Sequence, residues 1–399
     1  MSSSQRPPLW LAALTLAAFA VQTDDFIIIG VLPAIASGTG ASESAAGQLV
    51  TVYSLIYALT APLWALLLAR LPRRETLFCA LTVFAAANFA VLLVTTYPLL
   101  MVLRVVAALS AAVVLPTALA AASTQAPPER KGRYLAMVMT GMTGAVLIGV
   151  PAGTWIGAVL GWKATFAFGG LLGVTALLLA ARTLPSAGYG AQDERATLAD
   201  LLRPLLDTTT ATVLAVTVLT VAGNLAFQTY ISVLLSGLAG VTPTMLAALL
   251  VCSGAGGILG TQASGRLVDR FGPMRTFLLA GTVFCGTMTA FALLWVLRPI
   301  PVALAAVLLV VWSAAAWAVP PSLQALMLAR AGMRAASPAM AVHSSAGYIG
   351  AALGGAVGGA VIAVGPGLIP AAAATAAALG LALSPLAVRS RAGKERIVR

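Results

Sequence analysis

Time after time along this chain, an uninterrupted apolar stretch runs for about twenty residues, the length at which a helix crosses about 30 Å of hydrocarbon. In that medium each backbone N–H and C=O must be bonded within its own segment, so every such stretch has to be a helix. Twelve spans are expected, near Leu9–Pro33, Ala46–Ala69, Leu77–Val94, Tyr97–Ala122, Tyr134–Ala158, Thr165–Ala181, Thr209–Leu235, Thr244–Val268, Thr276–Leu297, Val302–Met327, Ser337–Val364 and Leu368–Val388. The fold class that follows is an all-α membrane protein of twelve transmembrane helices. Composition closes off the alternative: 60% of the residues are hydrophobic and 9% charged, against about 25% charged in an ordinary soluble domain.

Connections are short except for 183–207, which holds Pro185, Gly188, Gly190 and four of the eleven acidic residues. It reads as a cytoplasmic linker between two six-helix bundles, 1–182 and 208–388, with a basic tail at 389–399. With the first residues placed in the cytosol, twenty lysines and arginines fall on the cytosolic side and only Lys163 and Arg298 on the other. That asymmetry fixes both ends of the chain inside. It also accounts for the net charge of +12 as membrane topology, so nucleic acid is not an expected partner. The stretch Met1–Pro8 with the span behind it, which carries Asp24 and Asp25, is unlike a cleavable signal. Cys79, Cys252 and Cys285 all fall within spans, are odd in number and lack ligand spacing, so neither a disulfide nor a metal is expected.

The halves repeat. Ala69-Arg70-Leu71-Pro72-Arg73-Arg74 follows the second span, and Asp269-Arg270-Phe271-Gly272-Pro273-Met274-Arg275 follows the eighth, an offset of 200 residues. Gly149, Gly153 and Gly157 in the fifth span recur as Gly350, Gly354 and Gly358 in the eleventh. Small residues at every fourth position make a flat helix face that lets another backbone come close. Paired halves that rock against one another would need such a smooth contact.

An ionisable group at membrane depth costs on the order of 2.5–3.5 kcal/mol even on insertion scales, so it marks function by default. Only Asp24, Asp25 and Arg104 qualify. Asp25 shares a helix face with Thr15, Ala18 and Gln22, the polar stripe of the first span, and Asp24 shares one with Ala13, Ala17 and Ala20. Asp25 is therefore expected to face a central cavity, with Asp24 nearer a helix contact. Arg104 lies at the depth of Asp25 and within reach of pairing with it. Proton coupling is assigned to Asp25, Arg104 and Asp24. The candidates to line a substrate cavity are Gln22, Tyr53, Tyr57, Asn224, Gln228, Tyr230, Trp312 and Trp317, since aromatic walls with few polar groups suit a drug-like ligand. His343, the one histidine, is a candidate relay or a packing residue.

Gly265-Arg266-Leu267-Val268-Asp269-Arg270-Phe271-Gly272 resembles the signature loop of the major facilitator superfamily. Arg104 resembles the buried arginine of that family's second motif, with Ser110 where a glycine is usual. Gly149-Val150-Pro151-Ala152-Gly153 is similar to its antiporter motif, with Val150 intervening. Thr23-Asp24-Asp25-Phe26, Gly30 and Pro33, with Gly161-Trp162-Lys163 and Phe166, are similar to segments of the bacterial arabinose-efflux and chloramphenicol-efflux permeases. The first-half loop departs from the pattern, with Ala69 for the acidic residue and Pro72 for the second glycine.

The resemblance implies two pseudo-symmetric six-helix bundles in the bacterial cytoplasmic membrane. It implies a proton-coupled exporter of a small organic compound, a drug or antibiotic, working by alternating access. Gly149, Pro151, Gly153, Gly157, Gly265, Asp269, Arg270, Gly272, Gly350 and Gly354 would then be conformational motifs. Efflux of a sugar, nucleoside or other metabolite is the alternative within transporters, and a non-transporting sensor the alternative outside them. No catalytic constellation or phosphate-binding loop speaks for an enzyme. The expected partners are the substrate, protons and the lipid bilayer, with no cofactor and no second chain.

Overall fold

The computed structural model describes residues 8–67, 71–127, 130–185, 206–331 and 336–387. Most of the linker 183–207, the tail 389–399 and Arg70 lie outside them. In chain order the helices are α1 (Leu9–Phe26), α2 (Ile28–Thr39), α3 (Glu43–Leu67), α4 (Arg73–Ala90), α5 (Tyr97–Gln125), α6 (Lys131–Gly144), α7 (Val150–Leu160), α8 (Trp162–Thr183), α9 (Thr208–Thr229), α10 (Ile231–Ala239), α11 (Pro243–Phe271), α12 (Pro273–Val296), α13 (Val302–Ala331), α14 (Ala336–Val364) and α15 (Ile369–Leu383). Among the described residues eleven helical stretches are long and apolar enough to cross a membrane, and α1 with α2, bent by 48°, forms a twelfth, broken span. Fifteen helices thus make twelve spans, because three spans are interrupted.

Two of the interruptions repeat in register. The first span breaks at Ile27 and the seventh at Tyr230, and each ends in a left-handed cap, Gly40 at φ 68° and Gly240 at φ 62°. A residue with a Cβ would be strained there. The third interruption is a π-turn, Ala145–Gly149, between α6 and α7. Pro151 cannot donate to the carbonyl of Leu147, and the helix takes up the fault as a wide turn. In α13 the tandem Pro320 and Pro321 remove two more donors. The freed carbonyl of Trp317 is met by Thr261 Oγ1 at 3.2 Å, and Ser264 Oγ donates to the neighbouring Ala318 carbonyl at 2.7 Å.

One apolar core crosses both halves on the side away from Leu9 and Ala387. It joins Ile28, Leu32 and Leu49 of the first half to Phe227, Leu234 and Leu250 of the second. Toward the opposite face the cores are separate. Leu77, Phe84 and Ala118 cluster in the first half, while Val213 with Met327 and Val216 with Phe277 cluster in the second. Across the halves α3 packs on α14, α2 on α10, and α7 with the π-turn on α11. The halves share one core on the far side; toward the near side the buried clusters are separate, and Tyr348 of α14 packs against that of the first half.

The glycine ridges do not lie where rocking halves would slide. Gly149, Gly153 and Gly157 approach Thr23, Ile27 and Val31 of the first span. Gly350 and Gly354 approach Val218 and Ala222 of the seventh. Each ridge therefore clamps two helices of one half. The close approaches across the halves are made by other glycines: Gly254 against Leu147, Gly47 against Tyr230, and Gly355 and Gly359 against Thr51 and Gln48.

Candidate functional site

The site is built where α1 ends. Asp24 is wholly buried, and Arg104, 1% exposed, reaches it from α5. Arg104 Nη1 donates to Asp24 Oδ2 at 2.8 Å and Nη2 to the Asp24 carbonyl at 3.3 Å. The guanidinium carbon lies 4.4 Å from the ring centre of Tyr53 and 5.7 Å from that of Phe166. The partner of Arg104 is thus Asp24 and not Asp25, which corrects the pairing expected from depth. Adjacent residues on a helix differ by only 1.5 Å in depth but by about 100° in direction. Direction decides: the small Ala13, Ala17 and Ala20 on the face of Asp24 let α5 and α8 come close.

Asp25 is 6% exposed and makes no hydrogen bond or ion pair with a described residue. It stands within electrostatic reach of Arg104, Asp24, Tyr57 and Tyr348. Tyr57 on α3 and Tyr348 on α14 stack with ring centres 4.0 Å apart, the one aromatic pair that joins the halves among the described residues. Tyr348 is absent from the sequence-based candidates. A tyrosine in the middle of a span otherwise rich in glycine and alanine was the available signal. Several buried polar atoms nearby have no partner: Thr23 Oγ1, Asp24 Oδ1, Thr51 Oγ1, the Tyr53 hydroxyl and Arg104 Nε. Gln22 is buried on the same helix. Lower on the polar stripe, Thr15 Oγ1 bonds the carbonyls of Leu11 and Met137, so that end of the stripe faces α6 rather than a cavity.

The second-half candidates separate. Trp312 Nε1 donates to Asn224 Oδ1 at 3.1 Å, and Asn224 Nδ2 donates to Gln228 Oε1 at 3.2 Å, a chain of three predicted residues. Phe227 packs between Trp312 and Phe291. Asn224 lines a small pocket with Thr220, Phe284, Val319, Pro320 and Ala377, which places it inside the second half and not at the junction. Trp317 lies against Gly257 of α11. The Tyr230 hydroxyl donates to the Gly355 carbonyl at 3.1 Å. His343 Nδ1 lies 3.4 Å from Thr217 Oγ1, facing the seventh span.

Of the loop motifs, Gly265, Asp269 and Arg270 are exposed and Gly272 is the single residue between α11 and α12. The arginines of the first-half loop cap helices: Arg73 donates to the Ala120 carbonyl at 3.1 Å and Arg74 to the Ala181 carbonyl at 3.3 Å. Arg74 thereby satisfies a carbonyl in the last turn of α8 that the helix leaves open, and both cations sit near carboxyl-terminal ends, where a helix favours positive charge.

The family model described as Major Facilitator Superfamily matches residues 14–355. The chain belongs to the Major Facilitator Superfamily. It is 33% identical over 391 residues to the inner membrane transport protein YdhP of Escherichia coli (strain K12), covering 96% of each chain. It is also 33% identical over 292 residues to a chloramphenicol resistance protein of Streptomyces lividans, covering 72% of this chain and 73% of that one. Two solved transporter structures share the fold. The nucleoside transporter NupG does so at TM-score 0.77 and 13% identity, with 95% of this chain and 99% of that one covered. A peptide transporter, POT, does so at TM-score 0.78 and 11% identity, with 97% and 96% covered. The major facilitator chain is a multi-pass membrane transporter.

Proposed function

We propose that this transporter exports a small organic compound, of drug or antibiotic type, across the bacterial cytoplasmic membrane in exchange for protons, with both ends of the chain in the cytosol. The observation that carries the reading is Asp25: a carboxylate at membrane depth, without a partner among the described residues, beside the Asp24–Arg104 pair and the Tyr57–Tyr348 contact between the halves. The halves 1–182 and 208–388 are taken as the moving bodies. Asp25 holds a proton when the cavity opens to one side and releases it when the cavity opens to the other. Arg104 keeps Asp24 ionised throughout, so that one carboxylate alone changes state. The similarity to a chloramphenicol resistance protein supports the drug class over sugars and nucleosides.

The test uses proteoliposomes with a pH-reporting dye inside, to which chloramphenicol and small sugars are added one at a time. Proton movement evoked by chloramphenicol and lost in Asp25→Asn is the expected result. Full proton-driven transport by Asp25→Asn refutes the role of Asp25, and compound flux without proton movement means facilitated diffusion.

A further inference from the structure

On the far side the halves meet along two seams of different construction. In the α3–α14 seam, Ser44, Gly47, Gln48 and Thr51 fall at positions i, i+3, i+4 and i+7, which is one face of α3. That face lies on α14: Ser44 Oγ donates to the Gly359 carbonyl at 2.7 Å, Gly359 approaches Gln48, and Gly355 approaches Thr51. Tyr230, wholly buried, enters between the two helices from the break of the seventh span. Its hydroxyl donates to the Gly355 carbonyl at 3.1 Å. A Cβ at Gly358 would come within 2.6 Å of its ring, one at Gly359 within 2.7 Å of its hydroxyl, and one at Gly47 would overlap the phenol oxygen. Gly355, Gly358 and Gly359 belong to its own half, and Gly47 belongs to the other.

The other seam, α7 and the π-turn against α11, is closed by backbone. Gly254 lies on the turn so closely that a Cβ would be 2.9 Å from the Leu147 Cα. Ile27 stands at the break of the first span as Tyr230 stands at that of the seventh. It fills the hollow at Gly153 as the Tyr230 ring fills that at Gly358, but an isoleucine stops short of the reach of a phenol. The repeat is broken at this one residue, and the broken side crosses the halves. A ring seated on a glycine face makes many dispersion contacts, and those with α3 are lost if α3 withdraws. The bond to Gly355, inside the second half, keeps the ring where it is. Size sets the fit: a larger residue at 47 leaves no room for the hydroxyl, and a smaller one at 230 leaves a void. We propose that Tyr230 is a one-sided latch of the far side, a knob carried by the second half that seats at Gly47 of the first. It holds the α3–α14 seam shut and leaves Gly47 when that side opens. The latch goes beyond the exchange reading above and stands whichever compound is carried, with or without protons.

The test uses the full chain in lipid nanodiscs, with Cys79, Cys252 and Cys285 replaced by serine and one reporter cysteine at a time, read by its rate of reaction with a water-soluble maleimide. Thr51→Cys reports on the far seam, and the hydroxyl it removes is buried without a partner. Ser344→Cys reports on the near side: Ser344 is exposed and lies one turn closer to Ala336 than Tyr348, on the same face of α14. Tyr230→Leu should raise the Thr51→Cys rate at least about fivefold, the worth of a hydrogen bond with its packing, and leave the Ser344→Cys rate unchanged or lower. Gly47→Ala should do the same while Tyr230 is present, and add less than about twofold in Tyr230→Leu, where the void receives the methyl. Ile27→Ala removes packing at the matching break of the first half and should leave both rates within about twofold of the wild type. Each variant is first required to elute as the wild type does in size exclusion. A Thr51→Cys rate that Tyr230→Leu leaves within about twofold overturns the latch. So does a rise at both reporters, which means that the whole bundle has loosened. A Gly47→Ala effect that persists in full without Tyr230 unseats the knob from its socket, and an Ile27→Ala effect as large as that of Tyr230→Leu removes the one-sidedness; either result overturns the proposal.

Discussion

Replacing Arg104 with methionine, a side chain of similar length without charge, isolates the worth of the buried pair. Asp24 is wholly buried, and its one strong partner is the guanidinium at 2.8 Å. Truncating one partner of such a pair strands the other charge and typically costs about 3–5 kcal/mol. Loss of the cation over the Tyr53 ring, 4.4 Å away, adds about 0.5–2 kcal/mol. Arg104→Met is therefore expected to destabilise the first half by at least about 3 kcal/mol. Asp24→Leu combined with Arg104→Met removes both charges, and should recover most of that loss as a strong non-additivity. Asp25→Asn removes a buried carboxylate without a direct partner among the described residues and should leave stability unchanged or raise it. Unfolding in mixed micelles of mild detergent and dodecyl sulfate measures these three variants, the single Asp24→Leu and the wild type on one scale. The assignment of Arg104 to Asp24 fails if Arg104→Met costs under about 1 kcal/mol, or if Asp25→Asn costs as much as Arg104→Met.

Gly260 lies so close to the Ala314 carbonyl of α13 that a Cβ would sit 2.0 Å from it. Gly260→Val should push α11 off α13 and cost about 1–3 kcal/mol, read in the same micelle titration; an unchanged midpoint contradicts the contact. Ser44 Oγ donates to the Gly359 carbonyl at 2.7 Å across the halves. Ser44→Cys with Gly359→Cys should cross-link under mild oxidant and stop transport until reduced, while cross-linked protein that still turns over would show that this contact need not open. Asn224→Leu leaves the Trp312 N–H and the Gln228 amide without their partner. It should cost about 1–3 kcal/mol without changing protons moved per substrate in the vesicle assay, and a changed ratio would bring Asn224 into the coupling site.

The twelve spans, the repeat and the depth of the three buried charges were legible because hydrocarbon imposes a one-dimensional rule. An apolar run of sufficient length must be a helix, and a charge within it must find protein. In the sequence Pro151 reads only as part of a motif; the π-turn before it and the left-handed caps at Gly40 and Gly240 emerge from the structure. The choice between Asp24 and Asp25 for Arg104 was not legible, since it turns on which face of α1 is covered by α5, a matter of helix rotation within the bundle. The same holds for the glycine ridges, whose spacing predicts a close approach but not to which neighbour: Gly149 meets Thr23, and Gly254, outside the repeat, makes the contact across the halves. Tyr348 acquires its meaning only from Tyr57, 291 residues away by number. Sequence set what each segment must be in the membrane, because local hydrogen bonding and hydration act along the chain. Tertiary structure alone decided which side chains meet, because in lipid the helices are held by close packing of their surfaces, and no single segment records the shape of its neighbour.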